Sequence, residues 1–199
     1  MFKILATTVA FSLAALTANA ATVTSNVQDA AELAALASTS TFLAGGTTLS
    51  GAVTTFGSTP SVARSPFDVL PGFGSIGYFN VLGNGAANVA TLTLASVRTS
   101  LSFLWGSPDT YNLVTLFNGE NSLNVVLADL FDPNSPVEGS GATFVTISGF
   151  SFDRVEFVST DRAFELSNIA AVPLPAGGLL LIGALGGLAA LRRRKALAA

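Results

Sequence analysis

Short runs of Val, Thr, Phe and Leu, separated by turns that contain Gly, Asn or Pro, fill most of this 199-residue chain after Ser38. The turn signals recur about every ten residues, which is typical of short antiparallel strands packed in two sheets. The predicted strands are Thr47–Val53, Gly77–Leu82, Val89–Leu94, Leu101–Trp105, Leu113–Phe117, Leu123–Leu127, Thr143–Ile147, Arg154–Val158 and Ala163–Ile169. We therefore predict a mainly β fold, an antiparallel two-sheet sandwich resembling a jelly roll, with a closed barrel as the alternative.

Three turns between these strands carry strong local signals. Asn118-Gly119 predicts a hairpin, because both residue types tolerate the positive φ of a tight two-residue turn. Gly83-Asn84-Gly85 predicts a similar connection between the strands on either side of it. The run from Ser107 to Thr110 fits a type I turn, with Pro108 at its second position.

One short N-terminal helix is predicted over Ser25–Ala37. Ser25 is placed to cap it, and Gln28 lies three residues on, as in a capping box. Ala30, Leu33 and Ala37 then share one face of the helix.

The first 20 residues have the features of a secretory signal peptide. Lys3 precedes an apolar run from Ile4 to Leu16, and the small residues Ala18 and Ala20 fit signal-peptidase cleavage before Ala21. The apolar run is well short of the roughly 20 residues that span a bilayer. We therefore expect signal peptidase to act here, leaving a domain over residues 21–171.

Charge and composition exclude several functions for that domain. It carries four arginines against all twelve acidic residues of the chain, a net charge near −8. Nucleic-acid binding depends on cations that neutralise phosphates, so we predict no nucleic-acid partner. The chain has no Cys and no His, which excludes disulfides, thiolate nucleophiles, His-based triads and Cys/His zinc sites.

The segment from Trp105 to Asn112 is the candidate ligand site, since it holds the only Trp and one of two Tyr. Trp105 and Tyr111 could form an aromatic platform for a sugar, with Asp109 and Asn112 as hydrogen-bonding groups. The structural alternative, which we favour, is that Trp105 anchors the core and the rest forms a turn.

Acidic residues elsewhere give weaker signals. Asp129, Asp132 and Asn134 could offer oxygens to calcium, but they lack the alternate spacing of a calcium loop, and we predict no metal site. Glu156 and Glu165 lie on separate strands and could act as the two acids of a glycoside hydrolase only if they converged in one cleft. We predict no catalytic residues and no cofactor.

The C-terminal tail combines three features in order: the motif Val172-Pro173-Leu174-Pro175-Ala176, sixteen uncharged residues over Ala176–Leu191, and the cations Arg192, Arg193, Arg194 and Lys195. As a helix the middle part is about 24 Å long, and the residues around it bring it to the roughly 30 Å of the hydrocarbon core. The cations favour a cytoplasmic C-terminus. A plain single-pass membrane anchor is the simplest interpretation.

This tail resembles that of exosortase-sorted bacterial envelope proteins, the PEP-CTERM class, in its VPLPA variant. The resemblance implies that a membrane-embedded cysteine transpeptidase recognises the motif over Val172–Ala176 and cuts the chain near it. It also implies export through the inner membrane of a Gram-negative bacterium to the envelope, cell surface or extracellular matrix.

A second resemblance, to a group of exosortase-dependent surface proteins, covers Tyr78–Leu82, Val89–Leu94, Phe103–Asn112, Phe117–Gly119 and Phe152–Ala170. In that group the strand before the tail commonly ends Phe-Glu-(Ile/Leu)-Asp-Asn, and here Phe164–Asn168 has Ser167 in place of the Asp. The resemblance implies a β-sandwich with no established enzymatic activity. We expect the protein to be non-catalytic and associated with extracellular polysaccharide or biofilm matrix. A carbohydrate-binding module is the alternative function.

Overall fold

The computed structural model describes residues 21–41, 43, 47–83, 85–130 and 141–172, and within them the fold is mainly β, with one α-helix. Two short 3₁₀ turns accompany it, at Phe73–Ser75 and Leu127–Asp129. In chain order the elements are β1 (Thr22–Val27), α1 (Ala30–Ala37), β2 (Thr48–Ser50), β3 (Val53–Phe56), β4 (Gly77–Leu82), β5 (Asn88–Gly106), β6 (Asn112–Asn118), β7 (Asn121–Val126), β8 (Ala142–Ser159) and β9 (Ala163–Val172).

Every strand pairing is antiparallel, and the two long strands β5 and β8 connect two layers. The first half of β5 pairs with β2 and with the second half of β8. That part of β8 pairs in turn with β6, and β6 pairs with β7. The second half of β5 pairs with β9 and with the first half of β8. On one side of this layer β9 pairs with β4 and β4 with β3, and on the other side β8 pairs with β1. This arrangement confirms the prediction of an antiparallel, sandwich-like fold.

The core lies between these layers and is rich in aromatic rings. Trp105, Phe103, Phe157 and Phe164 have no exposed surface. Their ring centroids lie 4.6 Å to 6.1 Å apart in tilted and edge-on pairs, which is the favoured range for aromatic contacts. β5, β8 and β9 all contribute rings, so these three strands define the packing of the domain.

Several predicted strand boundaries were wrong. The segments predicted as Val89–Leu94 and Leu101–Trp105 belong to one strand, β5, because the polar stretch between them forms a bulged ladder rather than a loop. The two segments of β8 were likewise predicted as separate strands. Conversely, the predicted strand Thr47–Val53 is divided into β2 and β3 by Gly51, whose φ of 82° ends the extended run.

The helix is shorter than predicted, and its cap is different. It begins at Ala30 with Asp29 as N-cap, and Glu32, not Gln28, completes the capping box. Ser25 lies in β1, where its hydroxyl donates to the carbonyl of Leu130. The β-branched residues of the segment Thr22–Val27 explain why this part pairs with β8 instead of extending the helix.

The predicted turns had mixed outcomes. Asn118-Gly119 does begin the tight β6–β7 hairpin, with Gly119 at φ 58°. Gly83 does not connect paired strands, because β4 pairs with β3 and β9 rather than with β5. The hydrogen-bonded turn before β6 runs from Asp109 to Asn112, whose amide donates to the Asp109 carbonyl at 3.2 Å, and not from Ser107 to Thr110.

Several sequence predictions lie outside the described residues. They are the signal segment 1–20, Asp132, Asn134, the motif from Pro173 to Ala176, the apolar segment Ala176–Leu191 and the cations Arg192–Lys195. Within the residues that the structure does describe, no helix has both the length and the apolar character needed to cross a membrane.

Candidate functional site

The structure separates the four predicted ligand residues into two groups. Trp105 is fully buried, with its ring 4.6 Å from that of Phe164, so it offers no face to a sugar. Asn112 is also buried, and its side-chain amide donates to the Ala163 carbonyl at 3.2 Å. Burial confirms the favoured prediction that Trp105 anchors the core, and it contradicts the alternative in which Trp105 and Asn112 contact a sugar.

Asp109 and Tyr111 do lie together at the surface, in the connection between β5 and β6. The Tyr111 hydroxyl donates to Asp109 Oδ2 at 2.6 Å, which fixes both side chains. Burial raises the pKa of Tyr111 above its usual range, and the bond to Asp109 adds to the rise. Tyr111 is therefore a neutral group at physiological pH, beside a carboxylate.

These two residues form one wall of an open cleft of about 350 Å³. The opposite wall is the segment from Ser58 to Arg64, which we call loop 58–64. Arg162 lies at the cleft as well, and Glu165 of β9 forms its floor; we call the whole the Glu165 cleft. The volume is at the lower end of the roughly 300–1,000 Å³ of small-molecule pockets.

Glu165 connects the two walls. Its Oε1 accepts a hydrogen bond from the backbone amide of Arg64 at 2.8 Å, and its Oε2 accepts one from the Ser107 hydroxyl at 3.2 Å. Only 3% of the residue is exposed. A carboxyl so deeply buried, with two donors from opposite sides of a cleft, determines how far apart those sides lie.

The burial of Glu165 changes its acidity. Desolvation raises the pKa of this carboxyl from 4.5 to about 7, Asp109 contributes to the rise, and the hydrogen bonds from Arg64 and Ser107 oppose it. Burial, together with the charge of Glu165, also raises the pKa of Tyr78 to about 12. The cleft floor therefore holds a carboxyl that titrates near neutral pH, a property common at functional sites.

Two residues of the cleft have left-handed backbone conformations without being glycine. Ser61 has φ 58° in loop 58–64, and Ser107 has φ 38° in the opposite wall. Such conformations cost about 1–3 kcal/mol each and occur preferentially at functional sites. Gly106, next to Ser107, allows Pro66 and Glu165 to approach β5 closely, since a Cβ there would lie 2.8 Å from Pro66 Cγ.

The other acidic residues form no comparable site. Glu156 is paired with Arg154, whose guanidinium lies 3.7 Å from the centre of the Phe117 ring. Glu156 pairs with Thr91 and Glu165 pairs with Gly106, so the two acids lie beside positions that are 15 residues apart along β5. The two acids are not hydrogen-bonded to each other. Asp129 accepts a hydrogen bond from the Val126 amide at 2.8 Å. No group of three or more Asp and Glu suited to a metal ion occurs among the described residues.

The segment Phe164–Asn168 in the first half of β9 holds three parts of the domain in place. Phe164 packs in the core, and Glu165 holds loop 58–64. The Ser167 hydroxyl donates to the Ser40 carbonyl at 2.7 Å, and the Asn168 amide donates to the Leu36 carbonyl at 2.9 Å, at the end of α1. Structural hydrogen bonds therefore account for the polar residues of this segment, in addition to any role in the cleft.

Comparison with known proteins assigns no family to this chain. No protein-family model matches the chain, and no curated protein matches it. Among solved structures, one described as CpGH89CBM32-6 produced by Clostridium perfringens is similar at 15% sequence identity, with a TM-score of 0.35. That match covers 62% of this chain and 94% of the other.

Proposed function

We propose that this chain is an exported, non-catalytic envelope protein that an exosortase-type transpeptidase sorts to the surface of a Gram-negative bacterium. The observation that carries the proposal is the order of features at the C-terminus: the motif over Val172–Ala176, sixteen uncharged residues and four cations. The fold is compatible with this order, because β9 ends at Val172, where the motif begins. Cleavage after Val172 would leave every described strand in the domain.

The proposed path uses both ends of the chain. Signal peptidase removes residues 1–20 after the Ala18–Ala20 site, and Ala176–Leu191 holds the precursor in the inner membrane. Arg192–Lys195 keep the C-terminus in the cytoplasm. The domain over residues 21–171 then reaches the surface, where it is associated with extracellular polysaccharide or matrix. A permanent single-pass anchor is the alternative outcome of the same topology.

Mass spectrometry of the mature C-terminus tests this proposal. In a host with the sorting enzyme, we expect a C-terminus between Val172 and Ala176, and we expect the double variant Pro173→Ala, Pro175→Ala to keep its full tail. A matched control replaces Pro60 and Pro71, which lie in the domain and outside the motif. A wild-type protein that still ends at Ala199 would leave the permanent anchor as the correct interpretation.

A second candidate function, carbohydrate binding, is favoured by the pairing of Asp109 and Tyr111 at the mouth of the Glu165 cleft. An aromatic ring held beside a carboxylate is a usual combination for a ligand with hydroxyl groups, and Arg162 adds a donor at the same cleft. Trp105 and Asn112 have no part in this revised site, because both are buried.

We expect Tyr111→Ala and Asp109→Asn each to weaken glycan binding about tenfold or more, because each removes a group that contacts the ligand. Binding to a glycan array, followed by titration of any bound glycan, provides the measurement. Asp153→Asn, an exposed acid outside the cleft, is the matched control and should bind normally. Wild-type affinity in both cleft variants, with the circular dichroism spectrum unchanged, would exclude this site.

A further inference from the structure

Glu165 is the point at which the two walls of the cleft meet. One carboxylate oxygen holds the Arg64 amide of loop 58–64, and the other holds the hydroxyl of Ser107. Both walls contain a serine in a left-handed conformation, and neither conformation is the one that serine prefers in isolation. The position of loop 58–64 is therefore maintained by contacts, among them those of Glu165, and we call the arrangement with these contacts closed although the cleft itself is open to solvent.

We propose that Glu165 is a proton-operated latch: the neutral carboxyl keeps loop 58–64 closed over the cleft floor, and the ionised carboxyl favours an arrangement in which the loop has moved away and water reaches the floor. This is a proposal about regulation of the cleft, and it rests on the proposed binding function only for its biological use.

The direction of the effect follows from solvation. In the closed arrangement the carboxyl is buried beside Asp109, so its ionised form is disfavoured. In an open arrangement water solvates it, and its pKa returns towards 4.5. The state with the lower pKa gains population as the pH rises, so protonation closes the cleft and deprotonation opens it.

The charges around Glu165 support this direction. The titratable and charged groups that line the cleft beside Glu165 are Asp109 and Tyr111 from the β5–β6 connection, Arg64 from loop 58–64 and Arg162 from the β8–β9 turn. Buried Tyr78 of β4 interacts electrostatically with Glu165, and Asp161 with Tyr111. Arg64 is paired with Asp68. The two tyrosines stay neutral near pH 7, since both have raised pKa values. An ionised Glu165 would therefore add a second negative charge beside Asp109.

Loop 58–64 is held together by hydrogen bonds between its own residues. The amides of Thr59 and Ala63 each donate to the other residue's carbonyl, at 2.8 Å and 3.1 Å, and the Val62 amide donates to Thr59 at 3.0 Å. These bonds lie within the loop and survive a displacement of the whole segment. Residues 59–62 are exposed, whereas Ala63 is only 7% exposed, so a displacement of the loop would also uncover the Ala63 side chain.

Hydrogen exchange of the Arg64 amide, measured on the whole chain, tests the latch. Between pH 5 and pH 8 we expect its protection factor, corrected for the intrinsic exchange rate, to fall on the order of a hundredfold. The variant Glu165→Gln keeps an acceptor for the Arg64 amide but cannot ionise, so its protection should not change with pH. Glu156→Gln, which changes a half-buried acid on β8 outside the cleft, should behave like the wild type.

Two results would overturn the proposal. One is an Arg64 protection factor that does not change with pH in the wild type, or that changes equally in Glu165→Gln. The other is an equal change at the buried core amide of Leu116, since the whole domain would then be opening rather than the loop. None of these measurements needs a ligand, so a failed glycan experiment and a failed latch experiment are distinguishable.

Discussion

Replacing Trp105 by Ala is expected to cost about 3–5 kcal/mol of the free energy of unfolding, the range for large aromatic residues in a core. Trp105 has no exposed surface and contacts the rings of both Phe103 and Phe164, so its removal leaves a cavity between the two layers. A domain of this size is usually stable by only about 5–15 kcal/mol, so the variant should be close to unfolding. Urea unfolding followed by circular dichroism measures the loss.

Two comparisons make the Trp105 experiment specific. Trp105→Phe should lose much less stability, because it keeps an aromatic ring and removes an indole N–H that has no partner among the described residues. Phe56→Ala should change stability by only about 0.5 kcal/mol, since Phe56 is 61% exposed at the edge strand β3. A stable Trp105→Ala variant that has lost glycan binding would instead restore Trp105 as a ligand residue.

Local signals in the sequence predicted the class of fold but not the connections between its strands. The Asn118-Gly119 hairpin was predictable because a turn and the strands it joins depend on adjacent residues. The continuity of β5 was not, because the polar residues near Arg98 resemble a loop unless the bulge and its partner strand are known. The position of β9 between β4 and β5 depends on packing between residues distant in the sequence, which periodicity cannot show.

The candidate site was predictable only in part, for a similar reason. Asp109 and Tyr111 were identified because they follow a strand in a segment rich in polar and aromatic residues. Glu165 was noted as an acid, but its role depends on a hydrogen bond to Arg64, 101 residues away in the chain. Loop 58–64 carries no motif, and the only local signal was the Thr59-Pro60-Ser61 run, which is typical of a turn.

Replacing Gly83 by Ala is the other substitution with a large expected effect. The glycine follows β4 and lies against the β8–β9 turn, where its amide donates to the Arg162 carbonyl at 3.2 Å. A Cβ at this position would overlap the Asp161 carbonyl and would lie 2.7 Å from both Asp161 N and Ser159 O. All three are backbone atoms, so a rotamer change cannot relieve the overlap, and we expect a loss of about 3 kcal/mol, the upper end of the cost of overpacking.

Gly74→Ala is the matched control for Gly83→Ala. No atom lies within 4 Å of the Cβ that Ala would add at Gly74, and its φ is not in the left-handed range. The control should therefore unfold within about 0.5 kcal/mol of the wild type. If urea unfolding gave Gly83→Ala and Gly74→Ala the same stability, the β8–β9 turn would have to lie farther from Gly83.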